Sequence, residues 1–138
     1  MSDEQRRGFL LAGTRTGVLA TVRANGHPHA APIWFTLDSD DVMFTTGAET
    51  VKGRNLRRAG RAALVVNEPT PPFDFVLIEG SVKITEDLDE LLQWATVLGG
   101  RYMGAENAEP FGRRNAVPGE LLVRLRPEKT VALAGIAD

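Results

Sequence analysis

Asn25-Gly26 stands between two runs of alternating apolar residues, and this placement constrains the chain more than any other feature. Both residue types tolerate positive φ, so residues 18–23 are predicted to fold back on residues 30–37 as a hairpin. Strands joined by tight turns are antiparallel, which excludes a doubly wound parallel sheet. No G-x-G-x-x-G follows a strand, so a dinucleotide crevice of the Rossmann kind is not supported.

The rest of the chain continues this theme. Further strands are predicted at 42–46, 61–67, 74–85 and 121–126, the last ending before Pro127. The tail to residue 138 is expected to add one more. In 74–85, Val76, Ile78, Val82 and Ile84 face one way, and Gly80 reads as a bulge. Pro28 and Pro32 lack an N–H, so they belong at an edge, a bulge or a strand start. Three helices are expected: 3–12 ending at Gly13, one from Thr50, and one capped by Asp87 and Glu90. The third carries Leu88, Leu91, Leu92, Ala95, Leu98 and Tyr102 at helical spacing, with Gly104 as its C-cap. Residues 105–118 are polar, with room for a short helical turn. Together these elements predict a mainly β protein, a six-stranded antiparallel barrel with peripheral helices, as one domain over 1–138.

Composition narrows the function classes. The chain has no cysteine, which excludes disulfides and thiolate-bound metals. No apolar run approaches the roughly 18 residues of a membrane span. The acidic N-terminus lacks a signal-peptide layout, so the cytoplasm is the default expectation. A net charge of -2 argues against a general nucleic-acid binder.

The basic residues are instead gathered locally. Lys52, Arg54, Arg57, Arg58 and Arg61 follow one another with no intervening acid. Thr50 is a good N-cap, so Lys52 falls in the first turn of a helix, where free N–H groups and the macrodipole favour an anion. Hydroxyls of Thr45, Thr46 and Thr50 are close in sequence, which suits a phosphate. The same pattern fits a capped amphipathic helix with a solvated basic face.

Other candidates are weaker. His27 and His29 share a strand face, yet no acid nearby completes a metal set. Asp38, Asp40 and Asp41 read as turn chemistry. No serine stands in a nucleophile elbow, and no carboxylate pair suggests a glycosidase. Pro32, Ile33, Trp34 and Phe35 could wall a flat ring, or could divide between core and surface as strand residues do. Trp94, off the helical stripe, and Phe73 and Phe75 exceed what one small barrel readily buries, which predicts a homodimer.

Residues 17–22 with the turn through His29, then Pro32-Ile33-Trp34-Phe35, Thr45-Thr46-Gly47, the run from Thr50 to Arg58, and Glu79-Gly80 resemble the pyridoxamine 5′-phosphate oxidase-like split β-barrel superfamily. Within it, the chain is most similar to the actinobacterial branch that uses the deazaflavin coenzyme F420 in place of FMN. The resemblance implies a six-stranded split barrel of the FMN-binding type, a homodimer, and cofactor sites between subunits. It assigns the phosphate end to Thr50, Lys52 and Asn55, with Thr45 and Thr46 beside them. Pro32, Ile33, Trp34 and Phe35 would line the ring, and Arg54, Arg57 and Arg58 would meet the oligoglutamate tail. Tyr102 and Met103 would close the site from the partner subunit. The C-terminal Arg-x-His motif of the vitamin-forming oxidases is absent, and Arg124-Leu125-Arg126-Pro127 stands there instead. The implied activity is hydride transfer between F420 and an electrophilic small molecule, with an FMN-dependent enzyme or a non-catalytic deazaflavin carrier as alternatives. The catalytic side chain is left open, with water or Tyr102 as the source of the product's proton, and no metal is expected.

Overall fold

The computed structural model describes residues 1–136, and the last two positions of the expected tail strand lie outside them. Seven antiparallel strands form one unclosed sheet in the order β2-β1-β5-β6-β7-β4-β3. They are β1 (Gly17–Val22), β2 (Pro28–Ile33), β3 (Thr36–Asp38), β4 (Asp41–Gly47), β5 (Arg61–Asn67), β6 (Phe75–Thr85) and β7 (Glu120–Leu133). Four α-helices accompany them: α1 (Asp3–Leu11), α2 (Val51–Ala59), α3 (Leu88–Met103) and α4 (Ala108–Asn115). The mainly β, antiparallel split-barrel reading is what the structure shows. Among the described residues no helix is long and apolar enough to cross a membrane.

The strand count differs from the expected six because the return strand is broken. Residues 30–37 favour extended backbone throughout, yet β2 pairs with β1 while β3 pairs with β4, at the opposite end of the sheet. Trp34 and Phe35 are the crossing between the two. The turn at the first hairpin also differs. Only Gly26 takes a positive φ, and Asn25 instead accepts a hydrogen bond from the His27 N–H at 3.0 Å.

Alternation then sorts the side chains. Leu19, Leu64, Ile78, Phe44, Val123 and Leu125 point inward and form the core, sealed by Leu10 of α1 and Leu56 of α2. A second, smaller cluster lies on the outer face under α3, where Leu91 packs on Met43 and Leu122. Trp94 rests against that cluster, so its offset from the stripe reflects packing within the subunit. The α3 stripe is also rotated from its expected position. Leu91, Ala95, Leu98 and Gly99 are buried, while Leu88 and Leu92 lie on the solvent side.

Pro127 does not end the last strand. It sits opposite Gly80 at the bulge in the β6–β7 ladder, where the register slips and its missing N–H goes unclaimed. A Cβ on Gly80 would overlap the carbonyl oxygen of Arg126. Gly80→Ala is therefore expected to destabilise the fold by about 3 kcal/mol, because backbone rather than a flexible side chain must move. In a melting curve this appears as a drop of roughly 10 °C.

The aspartates of the β3–β4 turn do more than local turn chemistry. Arg124 reaches Asp41 at 2.9 Å and Asp38 at 2.8 Å. Asp40 accepts from both Arg6 and Arg7, and the Arg7 guanidinium holds its carboxyl below the usual range.

Candidate functional site

The crossing between β2 and β3 has no ladder partner, so its backbone groups need other hydrogen bonds. Two neighbouring residues at the end of α3 supply them. The Tyr102 hydroxyl accepts from the Phe35 N–H at 3.1 Å and lies 2.7 Å from the Arg15 carbonyl oxygen and 3.1 Å from that of Phe35. Arg101 donates to the carbonyl oxygens of Leu10 at 2.8 Å, of Gly13 at 3.1 Å, and of Phe35. Burial raises the Tyr102 phenol above its ordinary value, against the opposing pull of the Phe35 hydrogen bond and the Arg101 charge. That hydroxyl is fully engaged within the chain and is not a free proton donor.

With the backbone held, the two aromatic side chains divide. Phe35 turns wholly into the core. Trp34 turns outward, stacks on the Tyr102 ring at 4.7 Å between centroids and 7° between planes, and keeps 40% of its surface exposed. Phe111 of α4 also lies against the indole, 5.7 Å between centroids and tilted by 31°.

Trp34 forms one wall of a cleft of about 280 Å³, whose other walls are Pro32, Ile33, Thr45, Lys52, Leu98, Phe111, Asn115 and Glu120. Of the residues singled out in the sequence, the cleft brings together Pro32, Ile33, Trp34, Thr45 and Lys52. The strand period explains why only one threonine of the pair arrives. Thr45 shares the outer face of β4 with Met43, while Thr46 turns inward and its hydroxyl meets that of Thr50 at 3.2 Å.

α2 starts as expected. The Thr50 hydroxyl accepts from the Gly53 N–H at 3.0 Å and donates to the Gly47 carbonyl at 2.8 Å. The N–H groups of Val51 and Lys52 have no intrahelical acceptor, which leaves a positive helix end beside the Lys52 ammonium.

Other expected residues lie elsewhere. Asn55 is buried beneath α2, where it donates to the Thr21 hydroxyl at 3.0 Å and accepts from Arg58 at 3.3 Å. Arg58 also reaches the Val22 carbonyl. Arg57 pairs with Glu86 at 2.9 Å, and Arg54 with Glu49 at 3.7 Å. Met103 lines a separate hollow with Arg114. Tyr102 supports the cleft from behind, through Trp34, as part of the same subunit.

Four wall residues were not anticipated in this role: Leu98, Phe111, Asn115 and Glu120. Leu98 was assigned to the core stripe. Phe111 and Asn115 belong to α4, a helix of 8 residues with a single large apolar side chain, too polar to stand out by periodicity. Gly99 was the available signal. A Cβ there would come within 2.7 Å of Phe111, so the glycine marks the close approach of a second helix to α3.

Comparison with known proteins places this arrangement. A family model described as pyridoxamine 5′-phosphate oxidase matches residues 2–133. A search of curated proteins finds no match. Among solved structures, a conserved hypothetical protein of Mycobacterium tuberculosis, Rv2991, superposes with a TM-score of 0.87 at 24% identity, covering 98% of this chain and 86% of that one. A protein described as an F420 reductase superposes at 0.70 with 25% identity, covering 90% and 94%. HutZ, a heme storage protein from Vibrio cholerae, superposes at 0.74 with 18% identity, covering 96% and 95%. The match over nearly the whole chain, on a split barrel with a ring-walled cleft, makes this protein a member of the pyridoxamine 5′-phosphate oxidase family.

Proposed function

We propose that the protein is an F420-dependent oxidoreductase acting on an electrophilic small molecule. The observation that carries this reading is the meeting of Trp34 and Lys52 in one cleft. A partly exposed indole in the cleft wall suits a flat ring, and an ammonium at a helix start suits the phosphate attached to it. The fit is chemical: the cleft joins an apolar end at Ile33 and Trp34 to a cationic one at Lys52. When bound, the deazaflavin supplies hydride transfer, the step no side chain here can perform. The chain's own part is to orient and to shelter. Pro32 and Trp34 set the plane of the ring, Lys52 and the first turn of α2 hold the anion, and Leu98 and Phe111 limit water.

F420 is favoured over FMN by the basic surface around α2 and by the 25% identical F420 reductase. The ion pairs of Arg54 and Arg57 are exposed, so a polyanionic tail can exchange for Glu49 and Glu86 at little cost. Fluorescence titration is expected to give tighter binding of F420 than of FMN at low salt, with the gap shrinking as salt screens the arginines. Equal or tighter FMN binding at low salt favours the FMN-dependent alternative. Turnover of a candidate substrate separates an enzyme from a carrier.

We also infer a homodimer. The outer face of the sheet carries Val18, Val65, Leu77 and Val131 in one cross-strand row, and Val18 and Val65 are exposed. A second copy of the chain is the occupant that the family membership favours. Light scattering is expected to show a dimer, and Val65→Glu to yield monomers by placing a charge at the centre of that row. A monomeric parent with full cofactor affinity would overturn this.

A further inference from the structure

Glu120 makes the cleft more than a cationic seat. It opens β7 directly opposite Gly47, on the outer face shared by Thr45 and Leu122, and so faces the cleft with Lys52 and Asn115. Its Oε2 is buried and has no hydrogen-bond partner. Gly47 has no side chain to lie against that oxygen, whereas a Cβ there would meet it in ordinary contact at 3.9 Å.

A phosphate bound on Lys52 would share the cleft with this carboxylate. Two anions confined in a partly desolvated space repel each other, and the lysine charge cannot neutralise both. Uptake of a proton removes the conflict. A protonated carboxyl becomes a hydrogen-bond donor, which is what a phosphate oxygen accepts.

We propose that Glu120 is the resident counter-charge of Lys52, and that an anion binding on Lys52 displaces it by driving proton uptake at Glu120. Anion affinity at this cleft therefore falls as pH rises. This rests on the cleft being the cofactor site. Burial already pushes the Glu120 carboxyl above its ordinary value, opposed by the Lys52 charge and by the Leu121 N–H, which is the direction that proton uptake on binding extends.

The surroundings leave Lys52 as the charge that Glu120 answers to. β4 presents Gly47 and Thr45, β2 presents Pro32 and Ile33, and α3 presents Leu98, none of them charged. Arg101 of α3 is turned to the carbonyls of Leu10, Gly13 and Phe35. On α4, Asn115 faces the cleft, Arg113 pairs with Glu109, and Arg114 lines the hollow with Met103. Near the start of α2, Glu49 and Arg54 pair with each other.

The test is calorimetry at pH 7.5 with F420, with FMN, and with riboflavin as the phosphate-free ring, each in two buffers of different ionisation enthalpy. The parent protein is expected to take up close to one proton per F420 or FMN bound and none per riboflavin. Glu120→Gln is expected to abolish that uptake and to tighten both anionic ligands about tenfold at pH 8, leaving riboflavin unchanged. The second proton of the FMN phosphate, lost near pH ~6, acts in the opposite direction and is what Glu120→Gln leaves behind. Binding of either anionic ligand to the parent without proton uptake overturns this role for Glu120 while the cofactor reading stands. So does a Glu120→Gln protein that is folded yet binds more weakly. Failure of both F420 and FMN to bind at any pH overturns the cofactor reading and this inference with it. The buffer comparison uses the parent alone, so the decision does not depend on the variant folding.

Discussion

Lys52→Ala is expected to weaken binding of F420 and FMN by roughly ten- to over a hundredfold, the loss of a charge-assisted contact of about 1.5–3 kcal/mol. The fold should persist, because Lys52 makes no ion pair within 4 Å among the described residues and lies at the cleft rather than in the core. Riboflavin, which keeps the ring and lacks the phosphate, should bind the variant as it binds the parent. Arg6→Ala is the matched control. Arg6 also carries a charge, but it serves Asp3 and Asp40 at the far side of α1. Parent-like F420 binding by a folded Lys52→Ala protein would move the phosphate elsewhere and leave the basic helix as a solvated face.

Arg101→Met is expected to act on stability and site together. The variant keeps the aliphatic stem and removes the donors to the carbonyls of Leu10, Gly13 and Phe35. Such bonds are partly exposed, so about 1 kcal/mol each is a fair figure, or about 3 kcal/mol in all. The guanidinium also lies 4.8 Å from the centre of the Phe35 ring, a contact methionine replaces only in part. With Phe35 less firmly held, Trp34 loses its fixed angle, and riboflavin should bind more weakly too. This separates it from Lys52→Ala, which spares the uncharged ligand. A variant that melts with the parent would show that water satisfies those carbonyls.

The parts of the fold legible in the sequence are those written in local chemistry. β5 is a short apolar run and β6 alternates, Thr50 and Asp87 cap their helices, and Gly80 marks its bulge. The break at Trp34 and Phe35 was not legible. Ile33 through Leu37 favours extended backbone at every position, and what interrupts it is a guanidinium and a phenol from α3, far along the chain. Long-range partners override local propensity, and propensity carries no trace of them. The cleft was half legible for the same reason. Lys52 and Trp34 advertise themselves by motif and by size. Glu120 reads as an ordinary solvated acid at a strand start, and only its pairing opposite Gly47 places it beside a lysine.

The sheet order has a consequence for the birth of the molecule. β7 is the last of the seven described strands to leave the ribosome, yet it lies between β6 and β4 and pairs with both along their length. Until it emerges, the nascent chain holds two fragments, β2-β1-β5-β6 and β4-β3, each ending in an edge with unpaired N–H and C=O groups. Neither fragment can close the core, because Leu121, Val123 and Leu125 are its missing wall. Both edges and the open side of the core therefore wait for this one strand, and its pairing closes all three together.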